Sequence, residues 1–89
     1  MYILVMYDIS EDKIRREVEK ILASYGYRVN YSVFEINTTK SKFNTMINEL
    51  QESSNKEDNI RVYILNKDVI KKSFVINGEK VFDEKELYF

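Results

Sequence analysis

The feature that most constrains this chain is an apolar stretch at its beginning, which ends at a single acidic residue. Residues 2–7 are six apolar or aromatic residues in a row, and Asp8 is the first charged residue. The stretch does not alternate between apolar and polar residues, which is typical of a central strand covered on both faces. Because a helical pattern starts shortly afterwards, we expect Asp8 at the edge of a sheet with helical connections, where ligands tend to bind.

The composition narrows both the fold and the chemistry. With 89 residues, of which 44% are hydrophobic, the chain is long enough for one small domain with one core. It contains no cysteine and no histidine, which excludes disulfides, thiolate metal sites and imidazole catalysis. The net charge of −1 means that any nucleic-acid binding must use a local basic patch. No apolar run has the length of a membrane span and no signal peptide precedes the first strand, so we expect a cytoplasmic protein.

The next two segments have the periodicity of a helix and of a strand. Residues 11–25 have one apolar stripe at helical spacing, with Ser10 as the expected N-cap and Gly26 as the C-terminal stop. Residues 27–37 alternate like a strand, but the alternation shifts phase near residues 30–33. This shift requires a bulge, a sharp bend or a division into two short strands.

A second helix and another strand complete the core pattern. Apolar residues between 43 and 50 have helical spacing after several hydroxyl residues that offer alternative N-caps, and residues 60–66 alternate as a strand. The order β-α-β(β)-α-β predicts an α+β fold of the ferredoxin-like βαββαβ type, with the helices on one face of a mostly antiparallel sheet. We expect a single domain over residues 1–89, with its core in residues 1–66.

The C-terminal part of the chain has the pattern of a hairpin. Asn77-Gly78, a dipeptide suited to a type I′ turn, is flanked by Phe74-Val75-Ile76 and Lys80-Val81-Phe82. The chain then ends on three apolar residues, 87–89, and an exposed apolar patch usually marks a contact. These residues either fold back on their own core or dock on a second copy of the chain.

Several residues in the first half of the chain together resemble a known family. They are, in order, Tyr7-Asp8-Ile9-Ser10, Asp12, Arg15, Val18, Leu22, Tyr25-Gly26 and Arg28-Val29-Asn30-Tyr31-Ser32-Val33-Phe34-Glu35. The combination resembles the family of the second core CRISPR-associated protein, densely over residues 2–36 and loosely beyond. Two positions depart from the family pattern: Asn30 stands where many members have glutamine, and Glu17 where some members have a basic residue.

The resemblance implies a fold, an assembly and an activity. Members are small ferredoxin-like proteins that form homodimers, in which the C-terminal strand, here within residues 73–89, crosses to the sheet of the partner. They take part in spacer acquisition, where the dimer bridges the CRISPR integrase and holds the foreign DNA fragment. The resemblance also implies a metal-dependent nuclease in which one aspartate from each protomer meets at the dimer axis. By resemblance, that aspartate is Asp8.

The chemistry of Asp8 agrees with a metal-dependent reaction. A carboxylate is a hard oxygen ligand, which suits Mg²⁺ or Mn²⁺ rather than Zn²⁺. One carboxylate provides too few ligands and too little negative charge to hold a divalent ion. Two Asp8 side chains that face each other across a two-fold axis would supply the missing charge. The metal would then activate water and bind the phosphodiester. The structural alternative is that Asp8 only caps the helix that follows.

Six further residues are candidate nucleic-acid contacts. The arginines are the expected phosphate contacts, and the alternative for them is a solvated surface with weak ion pairs. The aromatic rings stack on bases or line the site in one interpretation and belong to the core in the other, and the serine has capping as its alternative role. The candidates are Tyr7, Ser10, Arg15, Arg16, Arg28 and Phe34.

We therefore expect a homodimeric, Mg²⁺-dependent endonuclease of CRISPR spacer acquisition that hydrolyses RNA or double-stranded DNA and supports the integrase. One alternative is a non-catalytic DNA-binding adaptor built from the same dimer. Another is a related ferredoxin-like toxin that cleaves messenger RNA without an integrase partner. A neighbouring antitoxin gene would favour the toxin, whereas genes for an integrase and a repeat array would favour the other two functions.

Overall fold

The computed structural model describes residues 1–79 and 81–82, which form one four-stranded sheet and three helices. The elements, in chain order, are β1 (Tyr2–Asp8), α1 (Asp12–Ala23), β2 (Tyr27–Asn30), β3 (Val33–Asn37), α2 (Lys40–Ser53), β4 (Asn59–Leu65) and α3 (Lys67–Lys72). The predicted α+β fold is confirmed, and the elements from β1 to β4 follow the predicted βαββαβ order. Within these residues, no helix is long and apolar enough to cross a membrane.

The sheet has the strand order β2-β3-β1-β4, and each strand is antiparallel to its neighbours. β1 lies in the interior of the sheet, with Val5 opposite Phe34 of β3 and Val62 of β4. A strand with neighbours on both sides is shielded from solvent, and it therefore usually has no charged residues along its length. The prediction that residues 2–8 form the central strand is therefore confirmed.

The two faces of the sheet are covered differently. Ile3 and Val5 are fully buried in the core under α1 and α2. The other members of this core are Tyr7, Ile9, Val18, Ile21, Leu22, Phe34, Ile36, Met46 and Leu50. Leu4 and Met6 lie on the opposite, open face, since successive strand residues alternate, and they are only half-buried. The absence of alternation in β1 thus reflects a second apolar face that the described chain leaves partly uncovered.

The phase shift in residues 27–37 is resolved by a division into two strands. β2 and β3 are joined by a turn at Tyr31 and Ser32, and the register also shifts between Arg28 and Asn30. β2 is an edge strand that is exposed along its whole length. Because no residue of β2 is buried, the apolar residues of this strand do not mark one face of the sheet. The alternation in the sequence therefore could not distinguish a bulge, a bend or two short strands.

The observed N-caps of the helices agree only in part with those predicted from the sequence. Thr39, one of the alternative caps, accepts a backbone N–H of the first turn of α2 at 3.2 Å. The predicted cap of α1 is wrong, because the backbone is still extended at Glu11, which takes the N-cap position in place of Ser10. The short helix α3 was not predicted, and its N-cap is the side chain of Asn66.

The predicted C-terminal hairpin is not formed in the described residues. Residues 73–79 and 81–82 contain no strand, although Gly78 has a positive φ of 121°, a conformation that favours glycine. A two-stranded ribbon is marginally stable unless it extends or packs on another element. Crossing of this segment to a partner's sheet stays a prediction, and residues 80 and 83–89, with the apolar end, lie outside the described residues.

The described C-terminal residues nevertheless return to the open face of the sheet. The ring of Phe82 packs edge-on against Tyr2, with 5.2 Å between the ring centroids. Tyr2 lies on the same face as Leu4 and Met6, and it is buried, unlike those two residues. One end of the open face is thus covered by the chain itself, while its middle remains accessible.

Candidate functional site

Asp8 ends β1 at one edge of the sheet, opposite Asn59 of β4. Its side chain is exposed and has no hydrogen bond or ion pair to any described residue. The N-cap of α1 is Glu11, so Asp8 is not the residue that caps the helix. The capping alternative is therefore not supported, and the carboxylate of Asp8 is available to a ligand.

Asp8 lines an open cleft of about 610 Å³ between the end of β1, α1 and the turn that joins β2 to β3. The lining residues are Tyr7, Asp8, Ile9, Arg15, Glu19, Arg28, Tyr31 and Ser32. Of the residues predicted from the sequence, the cleft brings together Tyr7, Asp8, Arg15 and Arg28. The other predicted residues, Ser10, Arg16 and Phe34, do not line it.

One wall of the cleft is a cluster of three polar side chains from β1, α1 and β2. The hydroxyl of Tyr7 donates to Oε2 of Glu19 at 2.6 Å, and Nη2 of Arg28 donates to the Tyr7 hydroxyl oxygen at 3.2 Å. Arg28 and Glu19 also form an ion pair. The guanidinium of Arg28 lies over the ring of Phe34, 5.7 Å from its centroid. The cluster fixes the position of Arg28 and at the same time balances its charge.

The cluster also shifts the pKa values of its members. Burial raises the pKa of Tyr7, the hydrogen bond to Glu19 raises it further, and Arg28 opposes both effects. The hydrogen bond to Tyr7 is the main cause that raises the pKa of Arg28, and the charge of Glu19 adds to it. At neutral pH, Tyr7 therefore remains a neutral hydrogen-bond donor and Arg28 remains a cation.

The two arginines of α1 contact the N-terminal turn of their own helix. Arg15 forms an ion pair with Asp12, and its Nη1 donates to the carbonyl oxygen of Ile9 at 3.3 Å. Arg16 donates from Nε to the carbonyl oxygen of Asp12 at 3.4 Å. Because the side chains of Arg15 and Asp12 are both accessible to solvent, their pair is weak, and a phosphate can compete for the guanidinium.

Phe34 and Ser10 lie outside the cleft. Phe34 is 2% exposed and packs in the core, with its ring centroid 6.3 Å from that of Tyr7. A ring buried to this extent presents no face to a nucleic-acid base, so its contribution in this chain is to support Arg28 and Tyr7. Ser10 is exposed in the connection between β1 and α1.

A second, smaller cleft of about 150 Å³ lies beside Asp8, and it is lined by Met6, Tyr7, Asp8, Asn59 and Arg61. Arg61 is opposite Met6 in the strand register, as Asn59 is opposite Asp8, so these four residues share the open face. Arg61 is exposed, and the one side-chain hydrogen bond that it makes with the described residues runs from Nε to Oδ1 of Asn59 at 3.3 Å. Arg61 is thus a cation next to Asp8 that has no carboxylate partner within residues 1–79 and 81–82.

Sequence analysis does not single out Glu19, Asn59 or Arg61. Glu19 lies off the apolar stripe of α1 and has the pattern of an ordinary solvated helix residue. Asn59 and Arg61 reach Asp8 only because β4 pairs with β1. The alternation of β4, which puts Arg61 on the face away from the helices, is the signal that could have found it.

The donor set at Asp8 suits a hard divalent cation but is incomplete in one chain. Residues 1–79 and 81–82 contain no group of three or more His, Cys, Asp or Glu side chains that could hold a metal ion. Asp8 provides a carboxylate, the ligand type of Mg²⁺ and Mn²⁺. Any further ligands would have to come from water, from a substrate phosphate or from a second chain.

The fold and the position of the site define the class of protein. An antiparallel sheet in the order β2-β3-β1-β4, with two helices packed on one face, is a ferredoxin-like α+β domain with a solitary acid at the end of its central strand. Residues 1–73 match the protein-family model described as CRISPR associated protein Cas2. The chain belongs to the Cas2 family, which confirms the predicted resemblance.

Individual relatives agree with this assignment. The chain is 36% identical over 89 residues to the CRISPR-associated endoribonuclease Cas2 of Mycobacterium tuberculosis, covering 100% of this chain and 78% of that protein. A crystal structure of Streptococcus pyogenes Cas2 matches with a TM-score of 0.74 and 31% identity, over 86% of this chain and 100% of the other. A chain in a partial Cas6-RT-Cas1–Cas2 complex matches with a TM-score of 0.65 and 40% identity, over 86% and 91% of the two chains.

Proposed function

We propose that this chain is a homodimeric, metal-dependent endonuclease of CRISPR spacer acquisition. The observation that carries the proposal is the carboxylate of Asp8, which is exposed and unpaired among the described residues and lies between two clefts that contain arginines. Hydrolysis of a phosphodiester needs cations that hold the phosphate and a water molecule that attacks it. Relatives named CRISPR-associated endoribonuclease support nuclease activity in general.

Mg²⁺ or Mn²⁺ is the cofactor that fits the donor set. When bound, the ion would lower the pKa of a water molecule and neutralise charge on the phosphate oxygens. Asp8 would hold it from the end of β1. Arg28 would orient the phosphate from the larger cleft and Arg61 from the smaller one. One guanidinium group can donate two parallel hydrogen bonds to two phosphate oxygens, which fixes the orientation of the phosphate.

The second copy of the chain is proposed to dock on the open face of the sheet. The middle of this face has an apolar strip with charged neighbours: Leu4 and Met6 are half-buried, and Tyr63, opposite Leu4, is 44% exposed. Glu35 and Arg61 lie beside this strip on the same face. Asp8 lies on the same face by alternation. Two chains packed face to face would therefore bring a second carboxylate toward the first, which is what the incomplete donor set of one chain requires.

The CRISPR integrase and a nucleic acid are the proposed partners of this dimer. A structural relative that is 40% identical is part of a Cas6-RT-Cas1–Cas2 complex. A purely adaptor function, without cleavage, remains the second candidate, because the described residues of one chain place one unpaired carboxylate, that of Asp8, at the site. The charges of Arg15 and Arg28 are also balanced by acidic neighbours. The toxin alternative is not retained, because the chain belongs to the Cas2 family.

The test is cleavage of single-stranded RNA and of duplex DNA by the purified protein and by Asp8→Asn, with Mg²⁺ and with a chelator. We expect Asp8→Asn to lower the rate by about 100-fold or more, as loss of one charge-stabilising group does in other enzymes. Its melting temperature should not change, because Asp8 is exposed and has no partner among the described residues. Asp68→Asn, the same change at an exposed position of α3, is the matched control.

Two outcomes would change the assignment. Cleavage by Asp8→Asn at the rate of the unmodified protein would exclude the catalytic role of that residue. If Asp8→Asn lost cleavage but still supported spacer acquisition in cells, the dimer would act as an adaptor and the hydrolysis would be dispensable.

A further inference from the structure

The carboxylate of Glu19 joins three secondary-structure elements at the wall of the larger cleft. It accepts the Tyr7 hydroxyl of β1 and pairs with Arg28 of β2, while it belongs itself to α1. The Glu19 side chain is 22% exposed, whereas that of Arg28 is 46% exposed. The acidic partner is therefore the more buried of the two, and the basic partner is the one that reaches solvent.

The contacts of Arg28 use one end of its guanidinium. Nη2 is the atom that meets both Glu19 and the Tyr7 hydroxyl, and the plane of the group lies over the ring of Phe34. Nη1 and Nε make no hydrogen bond with the described residues. A guanidinium that is held at one nitrogen and over one face still has free N–H groups, and these are the donors that a phosphate would use.

Glu19 also reduces the positive charge that the cleft presents. A carboxylate in contact with Arg28 brings the net charge of the pair to zero, although the direction of the remaining donors is fixed. A purely attractive site would have a neutral residue at this position. The ion pair fixes the direction of the Arg28 donors but lowers the affinity of the cleft for nucleic acid. This combination suits a group whose task is to orient a phosphate rather than only to bind nucleic acid.

We propose that Glu19 is a positioning residue of this site, which holds Arg28 and Tyr7 in a defined geometry and weakens nucleic-acid binding as it does so. The proposal rests on the function proposed above and deepens it. Glu19 acts through Arg28 and is not required to touch the substrate. Its removal should therefore separate two quantities, binding and turnover, that a merely structural residue would change together.

The experiment compares Glu19→Gln with the unmodified protein. Glutamine keeps an oxygen that accepts the Tyr7 hydroxyl but removes the charge. With a short single-stranded RNA and a duplex DNA as probes, we expect binding about 3- to 10-fold tighter at low salt. The slope of log K against log salt should become steeper by about 0.7 to 0.9, the value for one additional phosphate contact. In the presence of Mg²⁺, kcat should fall about 10-fold, because Arg28 loses its ion pair and its guanidinium is held less firmly.

Glu49→Gln is the matched control for this variant. Glu49 also accepts a tyrosine hydroxyl, that of Tyr25, but it does not line the cleft. The control therefore removes the same charge at another place and likewise keeps an oxygen that can accept a tyrosine hydroxyl. We expect it to leave the salt slope and kcat unchanged.

A double-mutant cycle with Arg28→Gln completes the test. If Glu19 acts through Arg28, Glu19→Gln should have little further effect on binding when Arg28 is already replaced. Equal effects of Glu19→Gln in both backgrounds, or an unchanged salt slope in the single variant, would overturn the proposal. These binding measurements need no cleavage, so the inference can fail while the nuclease function holds, and Asp8→Asn can exclude the catalytic role of Asp8 while Glu19 still controls binding.

Discussion

The backbone N–H of Tyr7 donates to the carbonyl oxygen of Ser32 at 3.1 Å, which fastens the turn between β2 and β3 to the strand that ends at Asp8. The hydroxyl of the same Tyr7 lies 3.0 Å from the carbonyl oxygen of Tyr31. The main chain of Tyr7 thus holds one carbonyl group of the turn, and its side chain lies beside the preceding one while its hydroxyl proton is donated to Glu19. The turn forms a wall of the larger cleft, so Tyr7 determines the shape of the cleft next to the acid.

Tyr7→Phe should therefore loosen this wall and destabilise the protein. The variant removes a partly buried hydroxyl that donates to a carboxylate, and hydrogen bonds to charged groups contribute about 1.5–3 kcal/mol. We expect the melting temperature to fall by roughly 4–8 °C for each kcal/mol lost. Amide hydrogen exchange in the turn should become faster, and the rate of nucleic-acid cleavage should fall.

Tyr25→Phe is the control that distinguishes a loss of stability from a loss of cleavage activity in Tyr7→Phe. It also removes a hydroxyl bonded to a carboxylate, that of Glu49, at a site away from Asp8. Both variants should lose stability, but only Tyr7→Phe should change the turn and the cleavage rate. Equal losses of activity in the two variants would show that stability alone is responsible.

Arg61→Gln should weaken nucleic-acid binding. Arg61 lies beside Asp8 on the open face and has no carboxylate partner among the described residues, so its charge is available to a phosphate. Loss of one phosphate contact should reduce the slope of log K against log salt by about 0.7 to 0.9. Filter binding or fluorescence anisotropy between about 50 and 200 mM salt measures this slope.

The control for the arginine is Lys71→Gln, which makes the same change in net charge on α3, away from both clefts. A similar loss of affinity in both variants would mean that binding depends on total charge and not on the position of Arg61.

Tyr63→Arg should prevent dimer formation if the open face is the interface. Tyr63 is 44% exposed in the single chain and lies opposite Leu4 in the middle of that face. A charged group buried there without a partner opposes association strongly. Sedimentation or light scattering should show a monomer.

The neighbouring substitution Ile64→Arg is the matched control for the interface. Ile64 is on the same strand, is 61% exposed and points to the other face of the sheet by alternation. The protein should stay dimeric with this change. A dimer that survives Tyr63→Arg and dissociates with Ile64→Arg would place the interface on the helix side.

The stability of the protein should depend on pH through Glu35. This residue lies on the open face opposite Leu4 and Tyr27, and burial raises the pKa of its carboxyl above the usual 4.5. Below pH 4.5 the group is protonated in both the folded and the unfolded chain. As the pH rises toward the raised pKa, the unfolded chain releases its proton first, so folding stability falls and stays lower at neutral pH.

Glu35→Gln should remove this loss of folding stability at neutral pH. At neutral pH and fixed protein concentration, we expect the variant to unfold at a higher temperature than the unmodified protein, because it has no charge to bury at this position. Near pH 4 the two proteins should have similar melting temperatures. A variant that is less stable than the unmodified protein at neutral pH would mean that the Glu35 carboxylate has a favourable partner in solution.

Much of the fold follows from local pattern. The uncharged run at residues 2–8 could be placed as the inner strand because few other positions in a small sheet accept it. The helical stripe of α1 was recognised because its apolar residues recur at helical spacing, and its observed bounds, Asp12–Ala23, fall inside the predicted range. Ser10 was misassigned because a cap depends on where the backbone leaves the extended conformation, which the residue type alone does not fix.

By itself, the sequence determined the order of the elements from β1 to β4, the family and the acid at the end of the first strand, because each depends on residues that are neighbours along the chain. Only the tertiary structure decided that Arg28 is balanced by Glu19 and that Arg61 lies beside Asp8. These contacts depend on the pairing of strands and on the rotation of α1 against the sheet, which join residues far apart in sequence. The charge that a phosphate would meet at Asp8 is therefore a property of the folded chain and cannot be read from the number of its arginines.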